Sequence, residues 1–135
     1  MGFFKRNRTS DLEAVANAPV GARVTVEGTG AVIGGTLVFE NAGDRWVEHR
    51  FATDDGRQMW VSIENFDRTV ATRWDLADPN AVTGGPDVAR AGYQGTPFNR
   101  SETGTASFVA KGDTGCSENG SVDFVDFSSG DGRRL

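Results

Sequence analysis

One cysteine, Cys116, and one histidine, His49, stand among 135 residues. A lone cysteine excludes a disulfide within the chain and suits a reducing compartment. One imidazole and one thiol cannot assemble a site of several His and Cys ligands, so neither a metal nor another cofactor is expected. No apolar run approaches the roughly 20 residues that a membrane-spanning helix needs. Phe3-Phe4 is followed at once by Lys5-Arg6, without the apolar stretch of a secretion leader. Long stretches of helical period are also lacking. With 18 glycines and a hydrophobic fraction of 37%, the chain reads instead as short strands joined by tight turns around a modest core.

Charge narrows the partners. The formal net charge is −5, from 14 basic and 19 acidic residues. The first ten residues hold Lys5, Arg6 and Arg8 and no acid, which leaves 11 basic against 19 acidic residues in the rest, a net −8. An acidic body disfavours nucleic acid, whose affinity comes largely from phosphate contacts. The start of the chain, with Phe3, Phe4, Lys5, Arg6 and Arg8, is a basic aromatic arm. Such an arm either keeps the chain hydrated or makes a weak contact with an acidic partner or an anionic membrane surface, each basic residue contributing about 1 kcal/mol there.

Along the chain, residues 1–18 read as this arm and a short helix, and residues 19–135 as one β domain. Ser10-Asp11-Leu12-Glu13 fits a capping box, and the helix should end before Pro19. It is too short to stand alone, so Leu12 and Val15 are expected to pack on a sheet. Period two begins at Ala22. Residues 22–64 predict a four-stranded meander, with Gly34-Gly35 marking a bulge or clearing room for a ligand. A further strand is expected over residues 66–76. Two prolines and two glycines make residues 77–87 a connector. The remainder predicts strands over residues 88–93, 97–102, 105–111 and 122–127. The fold class is therefore all-β: two antiparallel meanders packed as a barrel or sandwich, with one short N-terminal helix.

The chain is organised around residues 46–64, a hairpin turning at Asp54-Asp55-Gly56. Alternation puts Trp46, Glu48 and Arg50 on one face and Val47, His49 and Phe51 on the other. The return strand brings Trp60, Ser62 and Glu64 against Met59, Val61 and Ile63. If the tryptophan face is exposed, Trp46, Glu48, Trp60, Ser62 and Glu64 form an amphipathic patch suited to a cationic peptide or amine. If it is buried, the indoles are core and the carboxylates rim the sheet. A partial echo of this hairpin lies near the end of the chain. Residues 47–51 and 55–60 can be laid over residues 122–126 and 131–135, and Gly28-Thr29 over Gly95-Thr96. This suggests that residues 22–64 and 88–135 are two related meanders.

Other constellations read as structure. Asp113-Thr114-Gly115 has the lettering of an aspartic-peptidase triplet, but Lys111-Gly112 stands where an apolar strand is required, and the reading is a polar turn. Cys116 has acidic neighbours rather than the cations that activate a thiolate. His49 shares a strand face with Val47 and Phe51 and reads as a packed residue. Asp54, Asp55, Glu40 and Asp44 lack a regular calcium-loop spacing.

Val20-Gly21, Gly28, Gly35-x-Leu37, Trp46-x-Glu48, Asp55-Gly56 and Trp60-x-Ser62-x-Glu64, followed by Tyr93-x-Gly95 and Glu102-x-Gly104-x-Ala106, resemble a bacterial domain of unknown function, number 4178. The resemblance covers about residues 19–135 and implies a β-rich domain of the bacterial cytoplasm. It also implies company with membrane-stress systems of the phage-shock type and their small membrane proteins, and it carries no catalytic residues. The expectation is a non-catalytic binding or adaptor module with a protein partner, at most peripheral to the inner membrane face. The competing expectation is a small-molecule sensor or an enzyme using acidic residues near the tryptophan face.

Overall fold

In the computed structural model of the chain, residues 9–65, 69–85 and 87–135 are described. They form one helix and nine strands: α1 (Thr9–Ala16), β1 (Arg23–Val26), β2 (Thr29–Asn41), β3 (Asp44–Thr53), β4 (Gln58–Asn65), β5 (Thr69–Trp74), β6 (Val82–Thr83), β7 (Arg90–Tyr93), β8 (Thr96–Gly112) and β9 (Asn119–Ser128). A single 3₁₀ turn, Pro79–Ala81, stands in the connector with the Asp78 carboxylate accepting from the Asn80 amide. The fold is all-β with one short helix, and the strands pair antiparallel. Hydrogen bonding runs in the order β5-β4-β3-β2-β8-β7-β6, with β1 on β2 and β9 on β8, and does not close on itself among the described residues.

Two compact units make up the chain: Met1–Asp75 with Ser107–Ser121, and Leu76–Ala106 with Val122–Leu135. In the first, β1 to β5 follow one another as a meander, and residues 107–112 of β8 pair with β2. Its core lies between α1 and one face of the sheet, where Leu12, Val15, Val26, Ala31, Ile33, Phe51, Met59, Val61 and Ile63 are buried. Each of these side chains other than that of Ala31 contributes about 1.5–3 kcal/mol relative to exposure. The packing of Leu12 and Val15 on the sheet is what makes so short a helix stable. In the second unit, Ala91, Phe98 and Phe127 form a smaller core, flanked by Tyr93, Val125 and Leu135.

Several elements differ from the sequence expectation. The helix takes in Thr9 and Ser10, ahead of the start expected at Asp11. The two short strands expected over residues 97–102 and 105–111 are one 17-residue strand, β8. Its exposed Arg100 and Glu102 and its Gly104 break the apolar alternation without breaking the backbone ladder. The first turn is Glu27-Gly28, and both residues take positive φ, as a two-residue hairpin with strand-matching twist requires.

The bulge reading of Gly34-Gly35 holds. Ile33 faces Phe51 and Gly35 faces Arg50, so Gly34 is the extra residue of β2. The pair also admits the end of β8. The Asp113 amide donates to the Gly34 carbonyl at 2.9 Å, and a methyl group on Gly35 would overlap the Asp113 carbonyl. Backbone occupies the space the glycines leave. Gly35→Ala should therefore cost about 1–3 kcal/mol, read by chemical denaturation, whereas an unchanged midpoint would show that the β8 end does not lie there.

The turns after β3 and β9 are built alike. Thr53 and Ser129 each donate through the side-chain hydroxyl to the carboxylate two residues on, Asp55 and Asp131. Each hydroxyl oxygen also accepts the amide four residues on, Arg57 at 2.9 Å and Arg133 at 3.0 Å. Gly56 and Gly132 take φ of 86° and 87°. Hydrogen bonds from Arg57 and Thr53 hold the Asp55 carboxyl below its usual range, and those from Ser129 and Arg133 hold Asp131 down to about 2. Past the turns, Phe51 pairs with Met59 and Phe127 exchanges two backbone bonds with Leu135. The hydrogen bonds thus set Phe51 against Phe127, one residue along from the sequence overlay, which placed it on Asp126.

Candidate functional site

The register of β3, β4 and β5 places the predicted site residues on one sheet face of the first unit. Trp46 lies opposite Glu64, Glu48 opposite Ser62, and Arg50 opposite Trp60. The next strand adds Trp74 opposite Trp60, and Thr72 opposite Ser62. On the other side, Phe39 lies opposite Trp46 and Leu37 opposite Glu48, and β8 carries the row on to Phe108. All three tryptophans of the chain thus share one face, the side of the sheet opposite α1.

That face is neither core nor bare surface. Ser62 is 1% exposed and Leu37 and Phe39 are 8% exposed, whereas Trp46, Trp60, Trp74, Glu48 and Glu64 are partly exposed. Aromatic side chains form the layer. The Trp46 and Phe39 rings stack with centroids 5.1 Å apart and planes 12° apart, and Phe108 tilts against Phe39 at 6.2 Å. Two of the indole N–H groups are used internally: Trp74 Nε1 donates to Ser62 Oγ at 2.8 Å and Trp46 Nε1 to Glu48 Oε2 at 3.3 Å. Arg50 is tied down by the Asp113 carboxylate at 2.9 Å and by Gln58. What reaches solvent is a plate of partly exposed indoles with the carboxylates of Glu48 and Glu64 on it.

Sequence reasoning gathered Trp46, Glu48, Trp60, Ser62 and Glu64 correctly onto one face, with Arg50 beside Trp46 and Glu48, but it left out Trp74 and Phe39. The alternation Val70, Thr72, Trp74 was the available signal for the first of these. It could not say that β5 would pair with β4 in the register that brings Trp74 beside Trp60. The arm residues Phe3, Phe4, Lys5, Arg6 and Arg8 lie outside the described residues.

On the opposite face His49 is fully buried. Its Nε2 lies 2.7 Å from the Val15 carbonyl oxygen, and its Nδ1 lies 2.8 Å from Thr36 Oγ1. A carbonyl only accepts, so Nε2 carries the proton, and in the neutral ring Nδ1 accepts from the Thr36 hydroxyl. Burial pushes the imidazole pKa below its ordinary 6.5, against the backbone acceptors at Val15 and Ala16, which raise it. His49 is thus a clamp between α1 and the sheet and does not face the tryptophans. Asp113 binds Arg50, Asp54 binds Arg23 at 2.7 Å, and Asp55 binds Arg57 at 3.0 Å. No group of three or more His, Cys, Asp or Glu that could hold a metal ion occurs among the described residues. Cys116 is exposed.

The sequence model of the family described as Domain of unknown function (DUF4178) matches residues 19–135. The chain belongs to the DUF4178 family. Neither a curated protein nor a solved structure matches it. The match takes in β1 to β9, the tryptophan face and both like-built turns. No described helix is long and apolar enough to cross a membrane.

The histidine clamp gives a pH dependence of definite sign. Its folded pKa lies below the unfolded value near 6.5, so below that pH the unfolded chain takes up a proton that the folded chain refuses. Stability contributed by the neutral ring is complete above pH 6.5 and is lost as pH falls toward the folded pKa. Thermal midpoints should drop between pH 7.5 and 5.5 in the wild type and lose this part of the slope in His49→Gln. That variant should also start about 1–3 kcal/mol lower, because Thr36 and Val15 lose a buried partner. A slope identical in both proteins would remove His49 as its source.

Proposed function

We propose that this DUF4178 domain is a non-catalytic binding module that uses the tryptophan face of β3, β4 and β5 to hold a cationic amphipathic segment of a protein partner. The observation that carries the reading is the gathering of Trp46, Trp60 and Trp74 on the one sheet face that α1 does not cover, all three partly exposed. Tryptophan is the side chain most enriched among residues that dominate binding energy, because it buries a large rigid area at small entropic cost. Glu48 and Glu64 supply the charge, and an indole face attracts a cation by about 0.5–2 kcal/mol. The net charge of −5 favours the approach of a basic partner.

The setting we propose is an adaptor in a bacterial membrane-stress system, working in the cytoplasm and peripherally at the inner membrane face through the basic arm. Family resemblance supports that setting, together with the basic and aromatic residues of the arm. The ligand class rests on the geometry of the face.

Capture from a detergent-solubilised bacterial lysate with wild type, Trp60→Ala, Glu48→Gln with Glu64→Gln, and a form lacking residues 2–8 tests the reading. The double Gln variant keeps an acceptor for the Trp46 N–H, so its stability should stay within about 0.5 kcal/mol of wild type while its yield of partner falls. Trp60→Ala should weaken a partner held by this face about 30-fold, as loss of a dominant contact does. Loss of a membrane partner only on removal of residues 2–8 would assign that contact to the arm. Equal capture by wild type and both face variants would refute the proposal.

A further inference from the structure

Hydrogen bonds beside the β3 turn fix the direction of the backbone groups out to β5. Thr53 donates its amide toward β4, to the Arg57 carbonyl at 2.9 Å, and Asp54 donates toward β2, to the Gly30 carbonyl at 2.8 Å. Direction alternates along a strand, and opposite residues of an antiparallel pair turn both groups toward each other or both away. Phe51, His49 and Val47 therefore turn their groups to Met59, Val61 and Ile63. Trp60, Ser62 and Glu64 turn theirs the other way, to Trp74, Thr72 and Val70 of β5. That leaves the N–H and C=O groups of Ala71 and Arg73 pointing away from the sheet. β5 ends the hydrogen-bonded order, and no strand pairs with this side of it among the described residues. A row of outward strand-edge groups is a template for another strand.

Side chains at this edge belong to two surfaces. Val70, Thr72 and Trp74 continue the tryptophan face, with Val70 opposite Glu64 and 39% exposed. Glu64 thus stands one strand in from the edge, and Glu48, on β3, two strands in. On the other surface Ala71 packs against the core of the first unit. Arg73 is paired there with Glu27 at 2.9 Å and Asp75 at 3.2 Å.

Resting on the reading of the tryptophan face as the binding surface, we propose that the outer edge of β5, residues 70–74, takes up the cationic segment as an added strand. Basic residues occupy alternate positions of that segment, and apolar residues lie between them. Side chains of an added strand alternate between the same two surfaces. Those opposite Val70, Thr72 and Trp74 share one parity and lie on the tryptophan face. A long basic side chain there crosses Val70 toward Glu64 or lies over the Trp74 indole. The residue opposite Ala71 has the other parity, and an apolar side chain at that place extends the core. A second copy of the chain is the poorer occupant, since it brings a net charge of −5 toward these carboxylates.

The test is amide hydrogen exchange of the full chain, followed by NMR, with a synthetic peptide of alternating lysine and valine and a control with glutamate in place of lysine. The lysine peptide should slow the Ala71 and Arg73 amides about tenfold or more and leave those of Val70 and Thr72, which already bond to β4, unchanged. The glutamate peptide should protect neither. Ala71→Pro removes an outward N–H without touching the β4 ladder, and affinity should fall at least about fivefold, the worth of one hydrogen bond. Val70→Lys, at an exposed position, should weaken the lysine peptide at least about threefold through like charge. That variant keeps the test decisive if the proline unfolds the unit. Trp60→Ala separates edge from face. Weaker binding in Trp60→Ala of a lysine peptide that leaves Ala71 and Arg73 unprotected would overturn the proposal and keep the face. Protection of both amides with full affinity in Trp60→Ala would uphold the edge and refute the face. Equal protection by both peptides, or protection that grows with protein concentration without peptide, would overturn the proposal.

Discussion

A single buried imidazole fixes which way the first sheet faces. His49 has no solvent and two polar neighbours, so its nitrogens must be met by the Val15 carbonyl on α1 and the Thr36 hydroxyl on β2. An unmet buried ring nitrogen would cost about 1–3 kcal/mol, which makes the arrangement selective. Once His49 points inward, the two-residue period of β3 sends Val47 and Phe51 inward with it and Trp46, Glu48 and Arg50 outward. A slip of one residue would bury Glu48 and Arg50 and strand His49 in water. The tryptophan face is thus a consequence of the clamp on the other side of the sheet.

A second constraint operates at the strand crossings. Gly34 and Gly35 bend β2 and let the backbone at Asp113 come against it, and Arg50 ties the same segment down from the tryptophan side. The loop holding Asp113, Thr114 and Cys116 is therefore a fastening of β8 to β2. That explains its polar lettering without any chemistry of its own. Like-built turns at Thr53 and Ser129 then start two return strands. One of them, β4, completes the tryptophan face, and the other opens with Leu135 bonded to Phe127.

Much of this was legible in the sequence because side-chain alternation is a local property. Trp46 through Glu64 could be sorted into two faces from spacing alone, and His49 could be assigned to packing from its company with Val47 and Phe51. What was not legible depends on pairing between distant segments. Nothing near Trp74 specifies that β5 lies against β4, and nothing near Val15 specifies that its carbonyl meets an imidazole 34 residues on. Strand β8 read as two pieces because Arg100, Glu102 and Gly104 hide a continuous ladder. The overlay of residues 47–51 on 122–126 missed by one residue because Val47 resembles Val122 in lettering, whereas that of residues 55–60 on 131–135 matched Asp55 to Asp131 as the hydrogen bonds do. In the first of these segments the hydrogen bonds match Phe51 to Phe127.

The central claim is that the sheet of the first unit has a sealed face centred on His49 and a reachable face made of indoles. The most direct measurement is NMR line broadening by a soluble neutral paramagnetic agent, read at the three indole rings, the His49 ring and the Met59 methyl in one sample. The account predicts broadening of Trp46, Trp60 and Trp74 ring signals, with the His49 and Met59 signals unaffected. Protected indoles, or a His49 ring broadened as strongly as they are, would contradict it.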